Sequence, residues 1–233
     1  MARKFKKAKI KSVKPPKERK QKLKESTLAS LFIEHFSDCN IFNEVPCGSG
    51  YIDFVAERGN DIIAVEVKTT LNFKVVEQAW YNKKHATYSY IAIPKASDRN
   101  FQYKICRDYG IGVLIHHRGE ITEIVAPQRN EKLTGKISLK EYMKDSVSGS
   151  KNDRITPFRN TINEIAKILC ESPGNTGNIK TIISTIEHHY SNARSAIASI
   201  TKYCEKEVIK DFKVIGDDFV LNTRMNIYKE FKK

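Results

Sequence analysis

An α/β domain built on a mixed sheet, followed by a small α+β domain, is the fold class this sequence predicts. Three observations carry the prediction. Short apolar extended segments between Ile41 and Val125 alternate with stretches of helical periodicity. Residues 127–155 then lose periodicity, and from Pro157 onward three helical stretches precede a single hairpin. With 233 residues, 40% hydrophobic and 29% charged, the chain is long enough to bury a real core and too apolar for wholesale disorder.

Each element has its own signal. Leu28, Leu31, Phe32, His35 and Phe36 recur at three- and four-residue steps and make one face of a helix beginning at Glu25. Extended segments follow at 41–45, 51–56 and 61–69, and the turn residues Glu57, Arg58, Gly59 and Asn60 make the last two a hairpin. Residues 74–86 read as a helix with Val75, Val76, Ala79 and Trp80 inward. A strand at 88–93 stops at Pro94, a helix spans 99–109, and Gly110 stands where a helix C-terminal cap needs it. Segments 112–116 and 120–125 flank Arg118-Gly119 as a second hairpin, so the order is αβββαβ, then αββ.

The 145–153 run, rich in Ser, Gly and Asn, marks 127–155 as a linker, with a helical turn at 139–143. Helices are expected at 157–171, opened by Pro157, at 179–188 and at 193–207, with a loop at 172–177. Residues 208–215 and 218–222 form a hairpin across Gly216-Asp217. Three helices followed by a hairpin is the winged-helix arrangement, a helix-turn-helix variant, expected over 156–224.

The net charge of +14 is unevenly placed. Residues 1–24 hold twelve Lys and Arg against Glu18 alone, whereas the remaining 29 bases and 26 acids nearly cancel. Residues 1–22 are therefore expected to be a disordered basic arm, attracted to an anionic partner, most simply nucleic acid; residues 225–233 form a short basic tail. No apolar run approaches the ~20 residues of a membrane span, and the N-terminus lacks the apolar stretch of a signal peptide. The five cysteines are scattered and include no C-x-x-C pair. Together these predict a cytoplasmic protein without membrane attachment, disulfide framework or zinc site.

The chemistry-bearing pattern lies in the second and third strands, Gly50-Tyr-Ile-Asp53 and Ile62-Ile-Ala-Val-Glu66-Val67-Lys68. Side chains alternate along a strand, so Glu66 and Lys68 share a face, and hairpin pairing places Asp53 beside them. Two carboxylates with the Val67 carbonyl make an oxygen-rich donor set suited to Mg²⁺ or Mn²⁺. Such an ion polarises a phosphate oxygen, and Lys68 would orient or deprotonate water and offset charge as a phosphodiester is hydrolysed. Acid-x-Lys by itself is a weak signal, since it occurs also at Glu18/Lys20, Asp211/Lys213 and Glu230/Lys232. Only Glu66/Lys68 lies inside an apolar strand, where a charge is costly without a partner or a purpose. A structural ion pair is the alternative use of those two residues.

The order helix, strand, Asp53 strand, Glu66-Val67-Lys68 strand, helix, strand resembles the PD-(D/E)xK, or restriction-endonuclease-like, nuclease superfamily over residues 23–126. The resemblance implies that Asp53 and Glu66 are metal ligands and Lys68 is catalytic, with Ile52 in place of the motif's proline. It also implies an acid from the first helix, Glu25 with Glu34 as the second choice, and a polar residue from the following helix, Gln78. The Q-x-x-x-Y of the RecB-like branch is not matched, because Tyr81 falls one position early.

By the winged-helix resemblance, residues 192–206 are the recognition helix, presenting Asn192, Arg194, Ser195, Ser199 and Lys202, with Lys210 and Lys213 on the wing. The expectation is an Mg²⁺-dependent DNA endonuclease, acting as a homodimer or within a larger nucleoprotein complex. The arrangement also resembles some methyl-directed restriction enzymes, and that of transposon end-cleaving subunits, which tend to have Gln where Glu66 stands. A junction resolvase or repair nuclease, an RNA-directed nuclease and a DNA-binding regulator with an inert nuclease fold remain open.

Overall fold

The structure is a computed structural model describing residues 24–48, 50–95, 101–150 and 154–222. The expected basic arm and basic tail lie outside the described residues.

Six strands form one mixed sheet in sequence order: β1 (Asn40–Cys47), β2 (Gly50–Arg58), β3 (Asp61–Val67), β4 (Tyr88–Pro94), β5 (Gly112–His117) and β6 (Glu120–Val125). β1, β2 and β3 are antiparallel, β4 and β5 continue parallel to β3, and β6 turns back antiparallel. The β5–β6 turn uses left-handed backbone at Arg118 (φ 55°) and Gly119 (φ 86°), the pair of positive angles a two-residue hairpin favours.

Three helices cover the sheet. α1 (Glu25–His35) buries Leu28, Ala29 and Phe32, one stripe at three- and four-residue spacing, against Phe54, Val65 and Val67. α2 (Phe73–Asn82) and α3 (Phe101–Asp108) supply the parallel crossovers and bury Val75, Val76, Ala79, Tyr103 and Cys106 against Ile91, Ile93 and Val113. Asn72 caps α2 by accepting the Val75 N–H at 3.0 Å. Trp80 departs from expectation: it is 43% exposed, because Val75, Val76 and Ala79 already fill the inward stripe.

The segment expected as a loose linker is fastened to the sheet. Ile137, Leu139 and the buried Met143, in a 3₁₀ turn at Glu141–Asp145, pack with Phe42, Val45, Ile52 and Val55. Asn130 N–H reaches the Thr87 carbonyl and Gly135 N–H that of Lys84. Its polar composition reflects the absence of regular elements, while its few apolar residues close an otherwise bare part of the sheet.

The C-terminal unit comprises α4 (Pro157–Glu171), β7 (Thr176–Asn178), α5 (Ile179–Thr185), α6 (Ala193–Glu205), β8 (Phe212–Ile215) and β9 (Asp218–Leu221). Its three strands pair antiparallel in the order β7-β9-β8. β7 is a strand where a loop was expected; three residues of Thr, Gly and Asn carry no alternation, and only pairing with β9 makes them extended. Ile162, Ile165, Leu169, Ile182, Ile200, Phe212 and Phe219 form its core, each contributing about 1.5–3 kcal/mol on burial. Asp211, 2% exposed, accepts from both terminal nitrogens of Arg159 at 2.9 and 3.0 Å, tying the start of α4 to the approach to β8.

Candidate active site

The β2–β3 ladder stops at Phe54↔Val65, and the site opens where the strands part. Asp53 Oδ2 accepts the Val67 N–H at 2.8 Å, so a side chain takes the place of the next main-chain partner. The same oxygen accepts from Lys68 Nζ at 2.7 Å, and Lys68 also donates to the Val67 carbonyl at 3.0 Å. Glu66 Oε2 lies 3.7 Å from that ammonium and Glu25 Oε2 3.9 Å from it. Thus Asp53, Glu66, Val67, Lys68 and Glu25 converge as the sequence led us to expect, with Glu25 brought in from the first turn of α1. Glu34 is exposed near the other end of that helix and does not join them.

Glu66 is the costly member. It is 1% exposed; Asn82 Nδ2 donates to its Oε1 at 2.9 Å, but its Oε2 is buried without a hydrogen-bond partner. Burial, reinforced by the charge of Asp53, pushes its pKa up to about 8, against the pull of Lys68 and Asn82. For Lys68, burial works to lower the pKa, but Asp53 and the other carboxylates outweigh it and the net shift is upward.

A cleft of about 580 Å³ is lined by Asp53, Lys68 and Glu25 of this cluster, with Gln78, Lys74 and Asn72 from the α2 end among its other walls. Gln78 therefore sits beside the cluster as expected, although Lys68 meets no hydrogen bond from it.

Three further residues were not singled out from the sequence. Asn82, four residues after Gln78 on the same helix, holds Glu66; its spacing was the available signal. Glu44, 4% exposed, lies in β1 between the Asn43↔Phe54 and Val45↔Ile52 pairs, with left-handed backbone (φ 52°) unusual for a non-glycine residue. Its charge within the apolar run 41–45 was a signal of the same kind as Glu66. Burial raises the Glu44 pKa, partly offset by Arg154, whose Nε donates to Oε2 at 2.8 Å and whose terminal nitrogen also contacts it. Arg154 comes from the region expected to be linker and carried no signal.

The same connection reaches the cluster twice more. Ser148 Oγ donates to the Asp53 carbonyl at 2.8 Å, and Gly149 N–H to Glu44 Oε1 at 2.8 Å. Gly149 has φ 71°, and a Cβ there would stand 3.1 Å from the Glu25 carbonyl carbon, so both conformation and close approach favour glycine.

Could these residues hold a divalent cation? Among the described residues there is no group of three or more His, Cys, Asp or Glu side chains arranged to bind one. The donor set available is two carboxylates and a main-chain carbonyl, all facing the Lys68 ammonium. Glu66 Oε2 is buried without a hydrogen bond, with only the Lys68 ammonium 3.7 Å away, and hard oxygens of this kind suit Mg²⁺ or Mn²⁺.

The expected nucleic-acid contacts lie apart from this cleft, none of whose lining residues comes from α6 or the β8–β9 hairpin. Arg194, Lys202, Lys210 and Lys213 are exposed, and Ser195 and Ser199 partly so. Asn192 differs: its Oδ1 accepts the Ser195 N–H at 2.9 Å as the N-cap of α6, so that oxygen is engaged in holding the helix rather than free to read a base. No match to this chain was found among protein-family models, curated proteins or solved structures.

Proposed function

We propose that the protein is a metal-dependent DNA endonuclease of the PD-(D/E)xK type, with the C-terminal unit acting as a winged helix that positions the substrate. One observation carries the reading. Asp53, Glu66 and the Val67 carbonyl converge on the Lys68 ammonium at the parting of two strands, leaving a buried carboxylate oxygen without a hydrogen bond beside an open cleft.

Asp53, Glu66 and the Val67 carbonyl would hold Mg²⁺ or Mn²⁺, which when bound supplies charge for the carboxylates and polarises the phosphate. Asp53 keeps Lys68 protonated and at the cleft, placed to donate to a phosphate oxygen as negative charge develops there. Asn82 fixes the orientation of Glu66, and Glu25 adds a third carboxylate near the ammonium. In the C-terminal unit, the order α4-β7-α5-α6-β8-β9 resembles a winged helix, with Arg194 and Lys202 on the recognition helix and Lys210 and Lys213 at the wing. Residues 1–22 would add phosphate attraction that weakens with salt.

The direct hydrogen bond from Lys68 to Asp53 also favours a second reading, a DNA-binding regulator in which this cluster is a structural ion pair. One panel separates the two: plasmid, methylated plasmid, single-stranded, four-way-junction and RNA substrates with Mg²⁺, Mn²⁺ or EDTA, beside Lys68→Ala. Metal-dependent cutting that falls by about 10²–10³-fold in Lys68→Ala supports the nuclease, by the scale of losing one charge-stabilising donor. DNA binding with no cutting of any substrate supports the regulator.

A further inference from the structure

A second cavity of about 420 Å³ adjoins the Asp53–Lys68 cleft, and Gly50, Tyr51 and Gln78 belong to the walls of both. Its size lies within the ~300–1,000 Å³ typical of small-molecule sites. Glu66 and Asn82 lie at its walls, so it reaches the proposed reaction centre from the other side of Tyr51 and Gln78.

Two aromatic rings line it. Tyr51, from the start of β2, is 39% exposed, and Tyr81, near the end of α2, is 49% exposed. Neither ring is buried as a core residue would be, and each meets a cation: the Arg154 guanidinium stacks on one face of Tyr51 at 3.5 Å from its centroid, and Lys84 Nζ lies 5.0 Å from that of Tyr81, whose ring also meets Trp80 edge-on at 5.0 Å. Arg154 lines the first cleft and Lys84 the second cavity. Lys84, for which no ion pair is found among the described residues, lies at the cavity's wall, while Arg154 is held by Glu44 and stacks on Tyr51; the two rings and Gln78 line the adjoining space. Stacking aromatics beside backbone cations is the chemistry that holds unpaired nucleotides.

We propose that this cavity receives an unpaired nucleobase of the strand whose backbone lies in the Asp53–Lys68 cleft, stacked on Tyr81 and Tyr51. A base within an intact duplex is stacked on its neighbours and cannot enter a pocket without leaving the helix. The substrate class is accordingly DNA carrying unpaired nucleotides at the cut site, such as single strands, flaps or opened junctions, in preference to continuous duplex. This deepens the endonuclease reading and rests on it for the placement of the backbone.

The test is binding of a short single-stranded oligodeoxynucleotide containing 2-aminopurine, and of a duplex of the same sequence, both in EDTA. Tyr81 lies on the surface of α2, so Tyr81→Ala is expected to keep the wild-type melting temperature. It should bind the single strand about tenfold more weakly, the scale of one lost base–aromatic stack, with duplex affinity unchanged and the stacking quench of 2-aminopurine reduced. Tyr81→Phe, which keeps the π-face, should restore both. Unchanged single-strand binding in Tyr81→Ala, an equal loss on duplex, or failure of Tyr81→Phe to rescue would overturn the base pocket. Because binding is read without metal, this result is separable from the cleavage panel: an inert protein with selective Tyr81 loss keeps the pocket and loses the nuclease, and an active enzyme without that loss does the reverse.

Discussion

The two ends of the described chain differ in how completely they satisfy buried charge. In the C-terminal unit, Asp211 is the buried acid among the described residues, and two nitrogens of Arg159 satisfy it. In the large sheet, Glu44 and Glu66 are both buried; Gly149 and Arg154 satisfy Glu44 much as Arg159 satisfies Asp211, but one Glu66 oxygen has no hydrogen-bond partner. Glu44 adds left-handed backbone inside a strand. The cost of leaving that one Glu66 oxygen buried without a hydrogen bond is what singles out this cluster as the candidate site.

The largest expected effect tests that contrast directly. Asp53→Ala or Glu66→Ala should reduce metal-dependent cleavage to background while DNA binding persists, because the contacts of the C-terminal unit are untouched. Cleavage by either variant at the wild-type rate in Mg²⁺ would dissolve the distinction between the two ends.

Next is Arg154→Ala, which leaves Glu44 buried without its guanidinium. Chemical denaturation should show a loss of about 3 kcal/mol, the scale for breaking one side of a buried pair, whereas Arg159→Ala, whose arginine is more exposed, should cost about 2 kcal/mol. Equal or reversed losses would mean that the Glu44 pair costs no more to break than the Asp211 pair.

The pH dependence sharpens the comparison further. The Glu66 pKa is raised from its ordinary 4.5 to about 8, so its contribution to stability is complete below 4.5 and is lost as pH climbs towards 8. The metal-free protein should therefore become less stable across that window. Glu66→Gln should flatten the decline, and added Mg²⁺ should stabilise the wild type more at pH 8 than at pH 6, since the ligand must shed its proton. Thermal melts with and without Mg²⁺ at both pH values measure this, and an identical slope in Glu66→Gln would remove Glu66 as the source.

The smallest effect lies in the other unit. Asn192→Ala should cost about 1 kcal/mol through loss of the α6 cap, whereas Arg194→Ala should weaken DNA binding without changing stability. Melting curves and binding isotherms for the pair separate the cap from the contact; a lowered melting temperature in Arg194→Ala would argue against its being a free surface cation.

Much of this arrangement was legible in the sequence. α1, the β2–β3 hairpin, Pro157 at the start of α4 and Gly110 after α3 follow from periodicity, turn residues and caps, which act over a few neighbouring residues. Asp53, Glu66 and Lys68 were visible because a charge within an apolar strand stands out against its immediate neighbours. What tertiary structure alone decided depends on partners distant in the chain. β7 is a strand because β9 pairs with it, and residues 127–150 are ordered because Met143 and its neighbours cover β1 and β2. Glu44 meets Arg154 and Asp53 meets Ser148 across roughly a hundred residues. Local sequence fixes which face a side chain presents, but the long-range closure of the sheet and its connection determines which buried carboxylates find a partner, and that Glu66 Oε2 is left without a hydrogen bond.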